Sequence, residues 1–144
     1  TDGYVFIDRK WKRENKIILE LPMPIRKVRA HERVNEDRGM AAIESGPLVY
    51  CAESLDHGGS IFNLILPEHS VLKRSFRSEL LNGIQEINGE IPVFSLSDDG
   101  LQVRTKVAKL KAIPYYAWGH RGIGQMTVWF PKKAGELRIL PARQ

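Results

Sequence analysis

The stretch GIQEINGEIPVFSLSDDGLQVRTKV, residues 83–107, decides the fold class of this chain. Asn88-Gly89 and Asp99-Gly100 interrupt it, and such pairs tolerate the positive φ angles that a tight hairpin turn requires. After the second pair, LQVRTKV alternates between apolar or β-branched residues and polar residues, which is typical of a half-buried strand. The stretch therefore predicts three antiparallel strands in a meander.

The alternation changes phase just beyond this stretch. Apolar residues occupy odd positions up to Val107, whereas Leu110 lies at an even position. A one-residue shift in a strand moves its side chains to the other face of the sheet. We therefore expect a bulge or a bend near Ala108.

Short apolar runs with the spacing of strands continue along most of the chain. SGP at residues 45–47 predicts a tight turn between two of them, and residues 73–80 favour a strand over a helix. The runs are YVFID, KIILEL, MAAIE, LVYCAE and QMTVWF, the last with Met126, Val128 and Phe130 on one face. This pattern predicts an all-β fold, an antiparallel β-sandwich of jelly-roll-like form.

The composition of the chain argues against several classes of partner and site. The chain has 144 residues and a net charge of +5, but its basic residues are mixed with acidic ones, so we expect no nucleic-acid partner. Its apolar runs are much shorter than a membrane span, and we expect no membrane partner. Cys51 is the only cysteine, which excludes an internal disulfide and a multi-cysteine metal site within the chain.

The titratable residues do not form a recognisable catalytic or metal-binding motif. The histidines lack the close spacing of metal ligands, and Cys51 lies in an apolar strand, where a lone thiol is commonly a buried hydrophobe. The candidate carboxylates lie at strand ends and in turns, where acidic residues commonly form turns or face solvent. These carboxylates are Glu44, Glu53, Asp56, Asp98 and Asp99.

The stretch AIPYYAWGHRGIGQMTVWF, residues 112–130, contains the strongest site candidates. As an extended strand it would place Tyr116 and Trp118 on one face and Tyr115 on the other, before a tight corner at the glycines. One interpretation is packing in a core or an interface; the other is contact with a sugar ring, oriented by His120 and Arg121. Both interpretations stay open at this point.

Three segments carry a resemblance to a known family. They are GYVFIDRKWKREN, then IILELPMPIRKVRAHERVNEDRGMAAIESGPLVYCAESLD, and finally KAIPYYAWGHRGIGQMTVWF. Together they resemble the C-terminal region of the bacterial β-L-arabinofuranosidase-like glycoside hydrolases, family 127 and its relatives, formerly a domain of unknown function. The resemblance extends from Gly3 to Phe130 and is weaker between residues 58 and 100.

The resemblance implies that catalysis occurs elsewhere. Proteins of this family carry a cysteine nucleophile, a glutamate acid/base and a zinc ion in a large N-terminal α/α barrel. Those motifs do not occur in this chain, and Cys51 matches the family's GPLVYC strand motif, which is not the catalytic position. We therefore expect no catalytic residue and no cofactor in this chain, with zinc confined to the catalytic domain.

The same resemblance predicts the domain organisation and the partners. Residues 1–24 would be the last strands of a preceding sandwich or its linker, and residues 25–144 a C-terminal sandwich. Its expected role is structural support of the N-terminal catalytic domain of the same chain, with a homodimer contact as a further option. The alternative is a carbohydrate-binding module that uses the aromatic residues and the loop between Tyr115 and Arg121. The compartment, bacterial cytoplasm or periplasm, is left open.

Overall fold

The computed structural model describes residues 3–97 and 102–137. The described chain contains eight antiparallel strands and four 3₁₀ turns, so the all-β prediction is confirmed. No helix in these two ranges is long and apolar enough to cross a membrane. The strands are β1 (Ile25–Val28), β2 (Met40–Ser45), β3 (Leu48–Glu53), β4 (Leu72–Arg77), β5 (Ile84–Leu96), β6 (Val103–Pro114), β7 (Met126–Thr127) and β8 (Phe130–Pro131). The 3₁₀ turns are Asn35–Asp37, Ser54–Asp56, Tyr115–Ala117 and Ala134–Glu136.

The strands form one curled sheet in the order β1-β2-β3-β6-β5-β4, a sandwich-like architecture. Residues 61–66 link β5 to β8 across the curl. The Ile65 amide donates to the Pro92 carbonyl at 3.0 Å, and the Leu66 amide donates to the Pro131 carbonyl at 2.8 Å. The sheet encloses one main core of buried residues: Ala41, Ile43, Tyr50, Ala52, Ile61, Leu64, Leu66, Ile87, Ile91, Leu110, Ala112 and Phe130.

The β2–β3 hairpin confirms the predicted turn at residues 45–47. Ser45 pairs with Leu48, and Gly46 between them has a φ of 57°, which glycine adopts without a steric penalty. Further from the turn, β2 and β3 pair with other strands instead of with each other. Ala52 of β3 pairs with Thr127 of β7, and Ala41 of β2 pairs with Phe130 of β8. The last strands are thereby joined to the first hairpin.

The predicted turn at Asn88-Gly89 is wrong. β5 continues through both residues, and Gly89 pairs with Leu72 on β4 and with Leu110 on β6. A Cβ atom on Gly89 would lie 2.7 Å from the Leu72 side chain and 2.9 Å from the Val71 carbonyl oxygen. Gly89 is therefore a point of close approach between two strands, and not a turn residue.

The turn before β5 is made by a different Asn-Gly pair. Asn82 and Gly83 have φ angles of 62° and 101°, and the Gly83 amide donates to the Leu80 carbonyl at 2.8 Å. β4, which ends at Arg77, confirms the strand favoured at residues 73–80. The other predicted turn, Asp99-Gly100, lies outside the described residues.

The predicted bulge near Ala108 is also wrong. β5 and β6 pair in unbroken register, with Ile91 opposite Ala108. The phase change is real but has another cause, because Val103 and Val107 are exposed while Leu110 is buried. β6 thus extends beyond the core, and its apolar odd positions lie on the outer face.

Two other strand predictions are changed by the structure. The described residues 3–24 contain no strand, and the apolar side chains of YVFID and KIILEL are exposed. Their assignment to a preceding sandwich or linker stays a prediction. QMTVWF forms two short strands, and Phe130 lies in the main core while Met126 and Val128 pack against a second cluster.

Lys27 joins the two edges of the curled sheet. Its ammonium group, on β1, donates to the carbonyl oxygens of Pro67, Glu68 and Ser70 at 2.9, 2.6 and 2.8 Å, just before β4 begins. Burial lowers the pKa of Lys27, and Glu68 opposes that shift. The three carbonyls together satisfy the three donors of the ammonium group.

We expect Lys27→Met to lower the free energy of unfolding by about 2 kcal/mol, because hydrogen bonds to a charged group contribute roughly 1.5–3 kcal/mol. Urea unfolding followed by circular dichroism measures this change. Lys106→Met is the control, since Lys106 is exposed on β6 and makes no ion pair among the described residues. An equal loss of unfolding free energy in the two variants would show that the hydrogen bonds from Lys27 to the three carbonyls do not stabilise the fold.

Candidate functional site

The aromatic corner, defined here as residues 115–124, is not the extended strand that the sequence predicts. β6 ends at Pro114, and Tyr115–Ala117 forms a 3₁₀ turn. As a result Tyr115, Tyr116 and Trp118 are all exposed, and the rings of Tyr115 and Trp118 lie 6.4 Å apart between centroids. These aromatic side chains do not belong to the core of this domain.

A small apolar cluster fixes the corner to the outer face of the sheet. Ala117 is buried there against Cys51 of β3, Ile113 of β6 and Ile84 of β5. Leu80, Met126 and Val128 pack around this group. Each of the four buried residues comes from a different segment, so the corner is held by tertiary contacts.

Arg121 holds the corner by bridging two carboxylates. Its Nε donates to Glu53 Oε2 at 3.0 Å, and its Nη1 and Nη2 donate to the two oxygens of Asp56 at 3.2 and 2.5 Å. Nη2 also contacts Glu53 Oε2. The second Glu53 oxygen accepts the Gly119 amide at 2.8 Å. The Glu53 side chain is only 4% exposed, so this is a nearly buried ion-pair cluster.

The expectation of a solvent-facing carboxylate is wrong for Glu53, whereas Asp56 lies in a 3₁₀ turn as expected. Glu53 ends β3 with its carboxylate buried, and Asp56 is largely shielded by Arg121. Among the other acidic candidates, Glu44 lies 3.5 Å from Arg26 on the surface. Asp98 and Asp99 lie outside the described residues.

The electrostatics of the cluster favour its charged state. Burial alone would raise the pKa of Asp56, but the hydrogen bond and the charge of Arg121, together with the charge of Lys111, lower it below its ordinary value. The hydrogen bond from Arg121 to Asp56 is the largest cause of a raised Arg121 pKa. Both partners are therefore ionised at neutral pH.

The two histidines near the corner have structural contacts. His57 Nδ1 lies 2.7 Å from the Glu53 carbonyl oxygen, and its Nε2 accepts the Lys111 amide at 3.2 Å. His120 Nδ1 lies 3.1 Å from the Trp118 carbonyl oxygen. Sequence reasoning did not identify the role of His57, because its partners lie on other strands.

Cys51 has the environment of a structural thiol. It is fully buried, and burial, with Glu53 adding to the effect, raises its pKa to about 12. Such a thiol is a poor nucleophile at neutral pH. Within residues 3–97 and 102–137, no group of three His, Cys, Asp or Glu side chains could hold a metal ion.

The fold and the site define a small antiparallel β domain that displays aromatic side chains on a corner held by an ion-pair cluster. The model of the glycoside hydrolase family 127 C-terminal domain matches residues 25–131. The chain therefore belongs to this family, and the resemblance seen in the sequence is confirmed.

Relatives of the chain agree with this assignment. The chain is 32% identical over 141 residues to a non-reducing end β-L-arabinofuranosidase of Bifidobacterium longum subspecies longum, covering 89% of this chain and 21% of that protein. A solved family 127 β-L-arabinofuranosidase from Geobacillus stearothermophilus T6 is 38% identical, with a TM-score of 0.72, over 78% of this chain and 19% of that one.

A second solved family 127 β-arabinofuranosidase is 40% identical, with a TM-score of 0.74, over 78% of this chain and 18% of that structure. The chain thus spans about a fifth of the length of the curated relative and of these solved chains.

We expect Arg121→Leu to destabilise the fold by about 3 kcal/mol, because removing one partner of a buried ion pair leaves the other charge uncompensated. Urea unfolding measures the loss. Arg29→Leu is the matched control, since Arg29 pairs with Glu68 at 3.0 Å but both side chains are more than 60% exposed. Such a surface pair contributes less than about 1 kcal/mol. Similar losses for the two variants would contradict a buried role for Arg121.

The lowered pKa of Asp56 predicts an acid-sensitive contribution to stability. A carboxyl whose folded pKa lies below its unfolded value stabilises the fold above the unfolded pKa, and this is lost as the pH falls through the folded pKa. Between about pH 5 and about pH 3, the urea midpoint should therefore fall further in the wild type than in Asp56→Asn. If the urea midpoints of the wild type and of Asp56→Asn fell equally with pH, other carboxylates would account for the acid sensitivity.

Proposed function

We propose that this chain is a non-catalytic accessory domain of a family 127 β-L-arabinofuranosidase, docked on the catalytic part of the same polypeptide through its aromatic corner. The observation that carries the proposal is the exposure of Tyr115, Tyr116 and Trp118 on a fixed corner. Ile123 adds a fully exposed apolar side chain between two glycines. Exposed aromatic and apolar side chains grouped in this way are typical of interfaces.

The fixed geometry of the corner supports a docking role. The backbone of Gly119 and the side chain of Arg121 are both bound to Glu53, so the loop that carries the aromatic rings is ordered before it meets a partner. A surface that is already ordered loses less conformational entropy on association. This favours an interface over a loop that folds only on binding.

This proposal assigns no catalytic step to the chain. Hydrolysis of β-L-arabinofuranosides, with the zinc ion that the resemblance implies, would belong to the remainder of the polypeptide. The buried, weakly acidic thiol of Cys51 agrees with this division. Carbohydrate binding at the corner and homodimer formation remain predictions.

The test compares two aromatic residues with the same exposure. Tyr116 is 63% exposed and Phe76, on β4, is 62% exposed. In the longer enzyme polypeptide that carries this domain, Tyr116→Ala should lower the melting temperature by a few degrees, about what 1 kcal/mol costs a large domain. In the 144-residue chain alone it should change little, and Phe76→Ala should show no such dependence on context.

Three results would contradict the proposal. Tyr116→Ala could have the same effect in the short and the long polypeptide, which would remove the evidence for docking. The 144-residue chain could hydrolyse an aryl β-L-arabinofuranoside, which would overturn the non-catalytic assignment. It could also bind arabino-oligosaccharides in calorimetry and lose that binding in Tyr116→Ala, which would favour the carbohydrate-binding alternative.

A further inference from the structure

A groove of about 880 Å³ lies away from the aromatic corner, on the sheet formed by β4, β5 and β6. Charged side chains line it together with a few apolar ones, and the segment before β4 forms part of its wall. The lining residues include Lys73, Asn88, Glu90, Pro92, Val107 and Lys109. Its volume lies within the range of ligand-binding sites.

Strand register places the charged groups of this groove on one face of the sheet. Lys73 pairs with Asn88, and Glu90 pairs with Lys109. Asn88 and Glu90 are two residues apart on β5 and so share a face. The two lysines lie on either side of β5, with backbones roughly 12 Å apart, because they are separated by two strand spacings of about 4.8 Å and by an offset of two residues along the strand. Glu90 lies between them.

Among the described residues, the charged side chains of the groove form no ion pair, in contrast to those at the aromatic corner. Lys73, Glu90 and Lys109 are exposed, and none of them forms an ion pair in the described part of the chain, although Glu90 and Lys109 are cross-strand partners. At the corner, by contrast, Arg121 is bound to two carboxylates. The groove therefore presents two free ammonium groups and one free carboxylate to a ligand.

We infer that the groove binds an acidic oligosaccharide. The ammonium groups of Lys73 and Lys109 can only donate hydrogen bonds, and they attract a ligand carboxylate. The carboxylate of Glu90 can only accept hydrogen bonds, and it selects a ligand that also carries hydroxyl donors. The apolar side chains of Pro92 and Val107 give the ring carbons of a sugar a surface to contact.

The same chemistry disfavours the other classes of anion. A simple anion such as sulfate supplies no hydroxyl donor for the Glu90 carboxylate to accept. Acidic peptide motifs are typically recognised by clusters of basic side chains, whereas here the Glu90 carboxylate lies between the two lysines. This site is separate from the corner and does not depend on the accessory role proposed above.

The test is calorimetric titration of the 144-residue chain with trigalacturonate. We expect a dissociation constant in the millimolar range or below. The methyl ester of the same trisaccharide lacks the negative charges and should bind at least about tenfold more weakly. The Lys73→Gln and Lys109→Gln variants should each bind trigalacturonate at least about tenfold more weakly than the wild type does. Both expectations follow because a charge-assisted hydrogen bond contributes roughly 1.5–3 kcal/mol.

Lys106→Gln is the matched control, because Lys106 is an exposed lysine of β6 whose even position lies on the opposite face from Lys109. It should change the affinity by less than about twofold, since it contributes only long-range charge. Thermal unfolding checks that each variant is folded.

The inference is overturned if trigalacturonate does not bind at millimolar concentration, or if its ester binds equally well. It is also overturned if Lys106→Gln weakens binding as much as Lys109→Gln, which would indicate a general attraction between charges. Equal or tighter binding of hexaglutamate would reassign the groove to acidic peptides.

Discussion

The bridge from Arg121 to Glu53 and Asp56 is the interaction on which the candidate site depends. Burying a carboxylate costs several kcal/mol unless a cation and hydrogen-bond donors compensate it, and here Arg121 and the Gly119 amide supply both. The loop after β6 can therefore keep its conformation only while it is docked on the end of β3. Because the charges of Arg121, Glu53 and Asp56 compensate one another within the domain, the corner exposes mainly the apolar surface of its aromatic rings.

The contacts between the corner and β3 continue in the residues that follow the corner. Beyond the corner, the Gln125 amide donates to Ser54 Oγ and the Gln125 carbonyl accepts the Ser54 amide, both at 2.9 Å. β7 then pairs with β3 and β8 with β2, and Phe130 enters the main core. The corner is thus a connection between two strands that are themselves integrated in the sheet. Its order follows from long-range pairing as well as from the ion-pair cluster.

Local patterns in the sequence were sufficient for the fold class and insufficient for details that depend on neighbouring strands. Period-two alternation predicts β6 and the turn at Gly46 predicts the β2–β3 hairpin, whereas KIILEL is also predicted as a strand and forms none. The local sequence predicts a turn at Gly89, because the close contact of this residue with Leu72 is not visible in the sequence. Alternation places Val103 and Val107 on one face of β6, but it does not distinguish a buried face from an exposed one, and both side chains are exposed. The ion-pair cluster was missed because Glu53 and Arg121 are 68 residues apart.

The two surfaces of the domain suit two kinds of partner. A partner in the same polypeptide has an effective concentration in the millimolar range when the linker is short, so a few exposed aromatic side chains can hold it without strong intrinsic affinity. A free ligand has no such advantage and must gain its affinity from direct hydrogen bonds and charge. The corner, whose ions are neutralised within the domain, fits the first case. The groove fits the second, because Lys73 and Lys109 form no ion pair with any described residue and their charges are available to a ligand.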